Sequence, residues 1–281
     1  MQNHITPRLS AKEFDALRQR FQVVTGIALA DHKKMLVTGR LSKRLKYYQL
    51  SSFSQYLELL NEPANEAERQ LMVDLLTTNE TYFFREPNHF EYLKEQVLSE
   101  YRLKANHFKP FRVWSAACSS GEEAYSLSML LMDILGSNIQ WEIFASDVSL
   151  SMLEIAKTRY YPMVAARKMP QKYLKRFCLK GVRSQEGTLL VKPEVAERVH
   201  FRQINLNQPL PVIGSFDLIF LRNILIYYDV PARTRILKRL LPVLQEQGYL
   251  FLGHAESLTG MTDAYILKNL HPMVPTVFRK C

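Results

Sequence analysis

Apolar positions in the first hundred residues recur with a helical period. Phe14, Leu17, Phe21 and Val24 fall at i, i+3, i+7 and i+10, and Ser10 precedes Glu13 at capping-box spacing, so a first helix is predicted there. Val37, Leu41, Leu45 and Tyr48 form a second stripe, with Arg40, Lys43 and Lys46 off it. Two more short helices are predicted around Phe53, Tyr56, Leu57 and Leu60, and around Leu71, Met72, Leu75 and Leu76, joined by the polar NEPANEAE. Together these predict a small all-α unit over residues 1–85.

From residue 111 the pattern changes. FRVWSAA (111–117), WEIFAS (141–146), VHFRQI (199–204), FDLIFL (216–221) and GYLFLG (248–253) are short apolar runs rich in β-formers, and helical stretches at 122–135, 149–158 and 231–246 separate most of them. Strands alternating with helices predict a parallel sheet covered on both faces, here over residues 86–281. YILKNL and TVFRK, separated by HPMVP, are predicted to close it as an antiparallel pair. Residues 160–198 are basic, contain the turn-like KGVRSQEG and are too long for an ordinary crossover, so they read as an insertion. A length of 281 residues suits two domains.

Composition narrows the class. At 47% hydrophobic and 23% charged residues the chain is of globular type, and no run approaches the roughly 18 apolar residues of a membrane span. MQNHITPRLSAKEF has no apolar signal core, so a cytoplasmic location is expected. Cys118, Cys178 and Cys281 are far apart and lack metal-ligand spacing, so neither a disulfide framework nor a metal is expected. The formal net charge of +10 points to an acidic partner: nucleic acid, anionic lipid or an acidic protein surface.

Ligands of open α/β sheets sit beyond the carboxyl ends of the strands. The first strand is followed by Ala116-Ala117-Cys118-Ser119-Ser120-Gly121-Glu122-Glu123, small residues that let backbone approach a ligand, leading into a helix. Glu122 and Glu123 there suit a positively charged ligand, or merely complement the helix dipole. Asp147 follows the second strand, where an acid commonly accepts ribose hydroxyls or caps the next helix. Asn205 and Leu206 follow the third strand, and Arg222 and Asn223 the fourth. GxGxxG and GxxxxGK[ST] are both absent, which disfavours nicotinamide, flavin and nucleoside triphosphate ligands. An adenosine-containing ligand without pyrophosphate remains, with S-adenosylmethionine (SAM) the leading candidate.

LTTNETYFFREPNHF (76–90), VWSAACSSGEEAYS (113–126), FASDVS (144–149), FDLIFLRNILIYYD (216–229) and GYLFLGHAES (248–257) resemble, in order and spacing, the chemotaxis receptor methyltransferases of the CheR type. The resemblance runs from about residue 10 to 280. Departures are Ser120 for Thr, Ala124 for Pro and Ala255 for Ser. It implies an α/β, Rossmann-like SAM-dependent methyltransferase sheet with an N-terminal all-α domain and a small inserted β-subdomain at about 163–198. It also implies methyl transfer from SAM to glutamate side chains of methyl-accepting chemotaxis receptors, leaving S-adenosylhomocysteine. Asn79, Thr81, Arg85, Glu123, Asp147, Asn205, Leu206, Arg222 and Asn223 match its cofactor contacts, and Arg85 and Tyr227 its active-site pair. The inserted subdomain corresponds to one that docks a receptor C-terminal pentapeptide in some members, and a monomer is expected.

The chemistry suits this residue set. A glutamate acceptor, with an unperturbed pKa near ~4.3, is already a nucleophile at neutral pH, so no general base is required. Positioning then carries the burden and can contribute about 7–11 kcal/mol. An arginine fork holds a carboxylate in plane, the role expected of Arg85, while Tyr227 completes the alignment and Tyr228 packs in the core. His254 reads as a packed strand-end histidine rather than a base. Residues 32–48 hold six Lys or Arg and no acid, so Arg40, Lys43, Arg44 and Lys46 are expected to dock the glutamate-rich receptor bundle. Two rivals stand beside this reading. A nucleic-acid methyltransferase would favour an NPPY-like motif where LRNILIYY stands; a non-catalytic module that binds SAM or S-adenosylhomocysteine would show no turnover.

Overall fold

The computed structural model describes residues 7–103, 109–136, 139–258 and 261–281; the polar residues 1–6 of the N-terminal reading lie outside them. The chain begins with α1 (Ala11–Thr25), α2 (Lys34–Tyr47), α3 (Phe53–Asn61) and α4 (Glu66–Leu76). The expected capping box forms: Ser10 Oγ accepts the Glu13 N–H at 3.2 Å, and Glu13 Oε2 accepts the Ser10 N–H at 2.9 Å. The other Glu13 oxygen accepts the Ser54 N–H at 2.9 Å and so ties α1 to the start of α3. Phe14, Leu17, Phe21, Val37, Leu41 and Leu45 are buried, as their periodicity predicts. Gly26, at φ 77°, ends α1 in the left-handed conformation that favours glycine.

Residues 87–103 continue as α5 (Pro87–Tyr92), a π-helical segment (Leu93–Leu98) and α6 (Ser99–Leu103). Then come β1 (Phe111–Ala116), α7 (Glu122–Ile134), β2 (Trp141–Asp147), α8 (Leu150–Thr158), β3 (Tyr160–Pro162), α9 (Gln171–Phe177), β4 (Cys178–Lys180), β5 (Thr188–Val191) and α10 (Pro193–Ala196). The chain closes with β6 (Val199–Gln203), β7 (Phe216–Leu221), α11 (Val230–Leu240), β8 (Leu244–Leu252), α12 (Ala264–Asn269), β9 (Leu270–Val274) and β10 (Val277–Lys280).

Seven strands form one sheet in the order β6-β2-β1-β7-β8-β10-β9. β6, β2, β1, β7 and β8 are parallel, and β10 and β9 close the edge antiparallel. The order reverses at β1, so the crevice beyond the carboxyl ends of β1 and β7 is the topological switch point. β3, β5 and β4 form a separate three-stranded antiparallel sheet within the insertion.

Alternation along the strands divides the core. Trp114, Ala116, Ile219 and Leu221 pack on one face with α11 and the N-terminal helices, whereas Val113, Leu218 and Phe220 face α7 and the helix at 87–98. The helical unit therefore shares a continuous apolar core with the sheet. Phe83 and Phe84 belong to the opposite core from the helices that precede them. The segment 77–86 thus leaves the helical unit and crosses the sheet ends.

Two C-terminal expectations need correction. YILKN is α12 rather than a strand, capped by Asp263, whose carboxylate accepts the N–H groups of Tyr265 and Ile266. The strand that pairs with β10 is β9, made of the LHPMV read as a connection. The predicted helix at 231–246 stops at Leu240, and β8 starts at Leu244.

Candidate active site

The turn after β1 is tight. Ala117, Ser119 and Gly121 all have positive φ, at 63°, 49° and 92°. The first two are sterically costly for non-glycine residues and persist because the surroundings fix them. The Cys118 N–H donates to the Ser146 carbonyl at 2.9 Å, the Ser119 N–H to Asp147 Oδ2 at 2.8 Å, and the Tyr161 hydroxyl to the Ser120 carbonyl at 2.7 Å. At Gly121 an added Cβ would lie 2.7 Å from Ala156 Cβ, so glycine is required for close packing as well as for φ.

Asp147 ends β2 and is buried. Its Oδ1 accepts the Ser149 N–H at 2.9 Å, while Ser149 itself caps α8. Burial pushes the Asp147 carboxyl above the usual aspartate range, against the lowering effect of the backbone N–H groups that face it.

Glu123 and Glu122 diverge. Glu123 accepts Ser115 Oγ at 2.7 Å and Arg222 Nη1 at 2.9 Å; burial raises its pKa and Arg222 partly offsets this. Glu122 accepts Ser120 Oγ at 2.7 Å and does not line the cavity. Two acids at the helix start therefore do not both await a cationic ligand: one is turned aside and the other already has a counter-ion.

Arg222, at the end of β7, is 1% exposed in its side chain. Besides Glu123 it reaches the Arg85 carbonyl at 2.5 Å and Glu86 Oε2 at 2.8 Å. Asn223 Nδ2 donates to the other Glu86 oxygen at 3.0 Å. Buried Glu256, just past β8, accepts the N–H groups of Asn223, Gly253 and Leu225 at 2.8, 2.6 and 2.5 Å. Glu86 and Glu256 were not among the residues expected from the sequence, yet they hold the ends of β7 and β8 together. Their only local signal is an acid directly after Arg85 and another after the last parallel strand.

These elements enclose a cavity of about 560 Å³. Asn79, Thr81, Arg85, Glu123, Asp147, Leu206, Arg222, Asn223 and Tyr227 all line it. Arg85 Nη1 donates to the Glu80 carbonyl at 2.6 Å, and the Asn79 carbonyl accepts Ser119 Oγ at 3.2 Å, which fixes segment 79–85 against the β1 turn. The N-terminal unit supplies a wall through Ile27–Ala30, where the Ala28 N–H donates to the Tyr227 carbonyl at 2.9 Å. Tyr228 is the buried tyrosine of the pair, its hydroxyl donating to the Thr25 carbonyl at 3.2 Å.

The Asn205 side chain stands apart from these. Its Nδ2 donates to the Val24 carbonyl at 2.7 Å and its Oδ1 accepts the Asn207 N–H at 2.9 Å, so its side chain joins α1 to the sheet and does not line the cavity. The four-residue docking set also changes. Arg40 donates to the carbonyls of Leu75 and Thr77 at 2.8 and 2.9 Å, and Arg44 forms a bidentate pair with buried Glu68 at 2.9 and 2.6 Å. Lys43 and Lys46 stay exposed.

Glu86, His89 and His254 bring three ligand-type atoms within 4.8 Å of one another, and Arg222 shares that carboxylate as its counter-charge. No helix among the described residues is long and apolar enough to cross a membrane.

The cavity lining suits SAM: the buried carboxylate of Asp147 at the second strand end, the small residues Ala117, Cys118 and Ser119 of the turn after the first, and apolar Leu206 after β6. Residues 12–77 match the family model described as "CheR methyltransferase, all-alpha domain", and residues 79–273 match "CheR methyltransferase, SAM binding domain". A chemotaxis protein methyltransferase 2 of Pseudomonas aeruginosa is 41% identical over 249 residues, covering 88% of this chain and 86% of the relative. The chemotaxis protein methyltransferase of Salmonella typhimurium is 38% identical over 262 residues, covering 92% of this chain and 88% of the relative. Matched in order along both its helical and its SAM-binding part, the chain belongs to the CheR methyltransferase family.

Proposed function

We propose that this chain transfers the methyl group of SAM to glutamate side chains of chemotaxis receptors, giving glutamate methyl esters and S-adenosylhomocysteine. The observation that carries the reading is one cavity at the switch point in which Arg85 and Tyr227 stand with the strand-end acids Glu123 and Asp147. SAM supplies an electrophilic methyl on a sulfonium whose departure leaves a neutral thioether. Asp147 would accept ribose hydroxyls, Leu206 would pack beside the adenosine, and Asn79, Thr81, Glu123, Arg222 and Asn223 would complete the SAM pocket.

The acceptor carboxylate needs no deprotonation at neutral pH, so the protein's task is orientation. Arg85 supplies a planar fork for it: its guanidinium donates to the Glu80 carbonyl and lies over the Tyr82 ring, 5.8 Å from the centroid, and can exchange that carbonyl for a carboxylate. The Tyr227 hydroxyl gives a second donor for alignment. Cys118 also lines the cavity, but burial pushes its thiol well above the usual range, so it stays protonated and is no competing nucleophile.

Receptor engagement follows from two surfaces. Lys43 and Lys46 on α2 offer exposed positive charge to a glutamate-rich helical bundle. Tyr160, Leu190 and Leu179 stand in register across β3, β5 and β4 and, with Val182, line a groove of about 260 Å³ on that face of the small sheet, which supports docking of a receptor C-terminal peptide there. The protein acts as a cytoplasmic monomer in this reading. Incubating it with methyl-labelled SAM and receptor-containing membranes tests the proposal: base-labile methyl ester on receptor glutamate is expected, and label in nucleic acid, or none, overturns it.

A further inference from the structure

Arg85 sits between two residues in left-handed backbone, Phe84 at φ 53° and Glu86 at φ 59°. Neither is glycine, so this conformation holds only where tertiary contacts impose it. On the Phe84 side the contacts are ordinary packing: its N–H donates to Ser126 Oγ at 3.0 Å and its ring stacks on Tyr173 at 5.1 Å. On the other side they are polar and focused on one carboxylate. Glu86 accepts Arg222 Nη2 at 2.8 Å, Asn223 Nδ2 at 3.0 Å and the His254 N–H at 3.3 Å, three donors from the ends of β7 and β8. The nitrogen that reaches Glu86 from Arg222 also holds the Arg85 carbonyl at 2.5 Å. Burial opposes ionisation of Glu86, but the His89 ring, the Arg222 charge and the Asn223 amide outweigh it and keep the carboxylate charged. Glu86 itself does not line the cavity.

We infer that Glu86 is the positioning residue for Arg85: its charge, clamped at the strand ends, sets the backbone from which the Arg85 guanidinium reaches the acceptor. This rests on the proposed function and adds a residue to it. Glu86→Gln keeps the shape but removes the charge, and should lower kcat for receptor methylation about 10- to 100-fold, the loss expected for a misplaced orienting group, while the Kd for SAM changes less than about threefold. The deciding readout is a double-mutant cycle with Arg85→Ala. If Glu86 acts through Arg85, Glu86→Gln costs nothing further once Arg85 is gone; losses that multiply overturn the inference. Glu86→Asp takes its place in the cycle should the glutamine variant fail to fold. Wild-type ester formation with multiplying losses defeats this inference alone, whereas wild-type protein that forms no receptor ester defeats the proposed function and this inference with it.

Discussion

Arg222 donates through Nη2 to the backbone carbonyl of Arg85 at 2.5 Å, across 137 residues of chain. The same guanidinium lies between the carboxylates of Glu123 and Glu86, with its side chain 1% exposed. Arg222→Ala leaves both acids, each only partly exposed, beside a cavity where the counter-charge stood. Removing one member of such a group costs about 3–5 kcal/mol, so chemical denaturation should show a loss of that order. A midpoint within error of wild type would show that the network carries no stability.

Gly121→Ala meets two obstacles at once, a φ of 92° and a contact of 2.7 Å with Ala156 Cβ. A loss of about 1–3 kcal/mol is expected, together with weaker SAM binding because the turn after β1 must shift. Adding Ala156→Gly removes the contact but not the backbone strain. Partial recovery in the double variant, read by thermal unfolding and calorimetry, is the expected result.

Burial raises the Asp147 pKa, and in the proposed site the ionised form would accept the ribose hydroxyls. Binding should therefore be full above that raised pKa and fall as pH drops through it, beginning at higher pH than an ordinary aspartate would give. Calorimetric titration with SAM over decreasing pH checks this. In Asp147→Asn affinity should be weaker throughout, with that pH dependence gone.

On α2 the basic residues divide into two kinds with opposite expected behaviour. Lys43→Glu with Lys46→Glu should raise the KM for receptor at low salt, leaving unfolding and SAM affinity unchanged, because both side chains are exposed. Arg44→Glu should instead destabilise the fold by about 3–5 kcal/mol, since Glu68, which also accepts the Tyr56 hydroxyl at 2.8 Å, is left buried beside a like charge. An unchanged receptor KM in the lysine double variant would remove α2 from the docking surface.

The difference between these residues was not legible in the sequence. Helical periodicity puts Arg40, Lys43 and Lys46 off the apolar stripe, and charge alone groups Arg44 with them, but the partners of Arg40 and Arg44 lie 24 to 37 residues away and only the fold brings them close. What could be read was local. The Ser10–Glu13 cap, the strand runs and the small-residue turn ending in Gly121 each depend on neighbours within a few positions, and each is present. The strand-end rule gathered Glu123, Asp147, Arg222 and Asn223 into one cavity because parallel strands present their carboxyl ends to the same crevice. It does not foresee that the Asn205 amide meets the Val24 carbonyl, on a helix the rule does not consider. From the sequence Glu86 reads at most as an ion-pair partner for Arg85, and Glu256 goes unread, because the donors that hold them, Arg222, Asn223 and the Leu225 N–H, lie far off in the chain and leave no period and no spacing. YILKNL misled because a short apolar run suits a strand or a helix equally, and Asp263 as cap decides for the helix.

In the proposed reaction the cavity orients an acceptor that is already ionised, with no residue taking a proton. The most direct test is the rate of methyl ester formation at saturating SAM and receptor, measured from about pH 6 to 8.5. A carboxylate with a pKa near ~4.3 predicts a flat profile over that range. A rate that instead rises with pH through an inflection would contradict this, because a group on the protein would then be taking a proton.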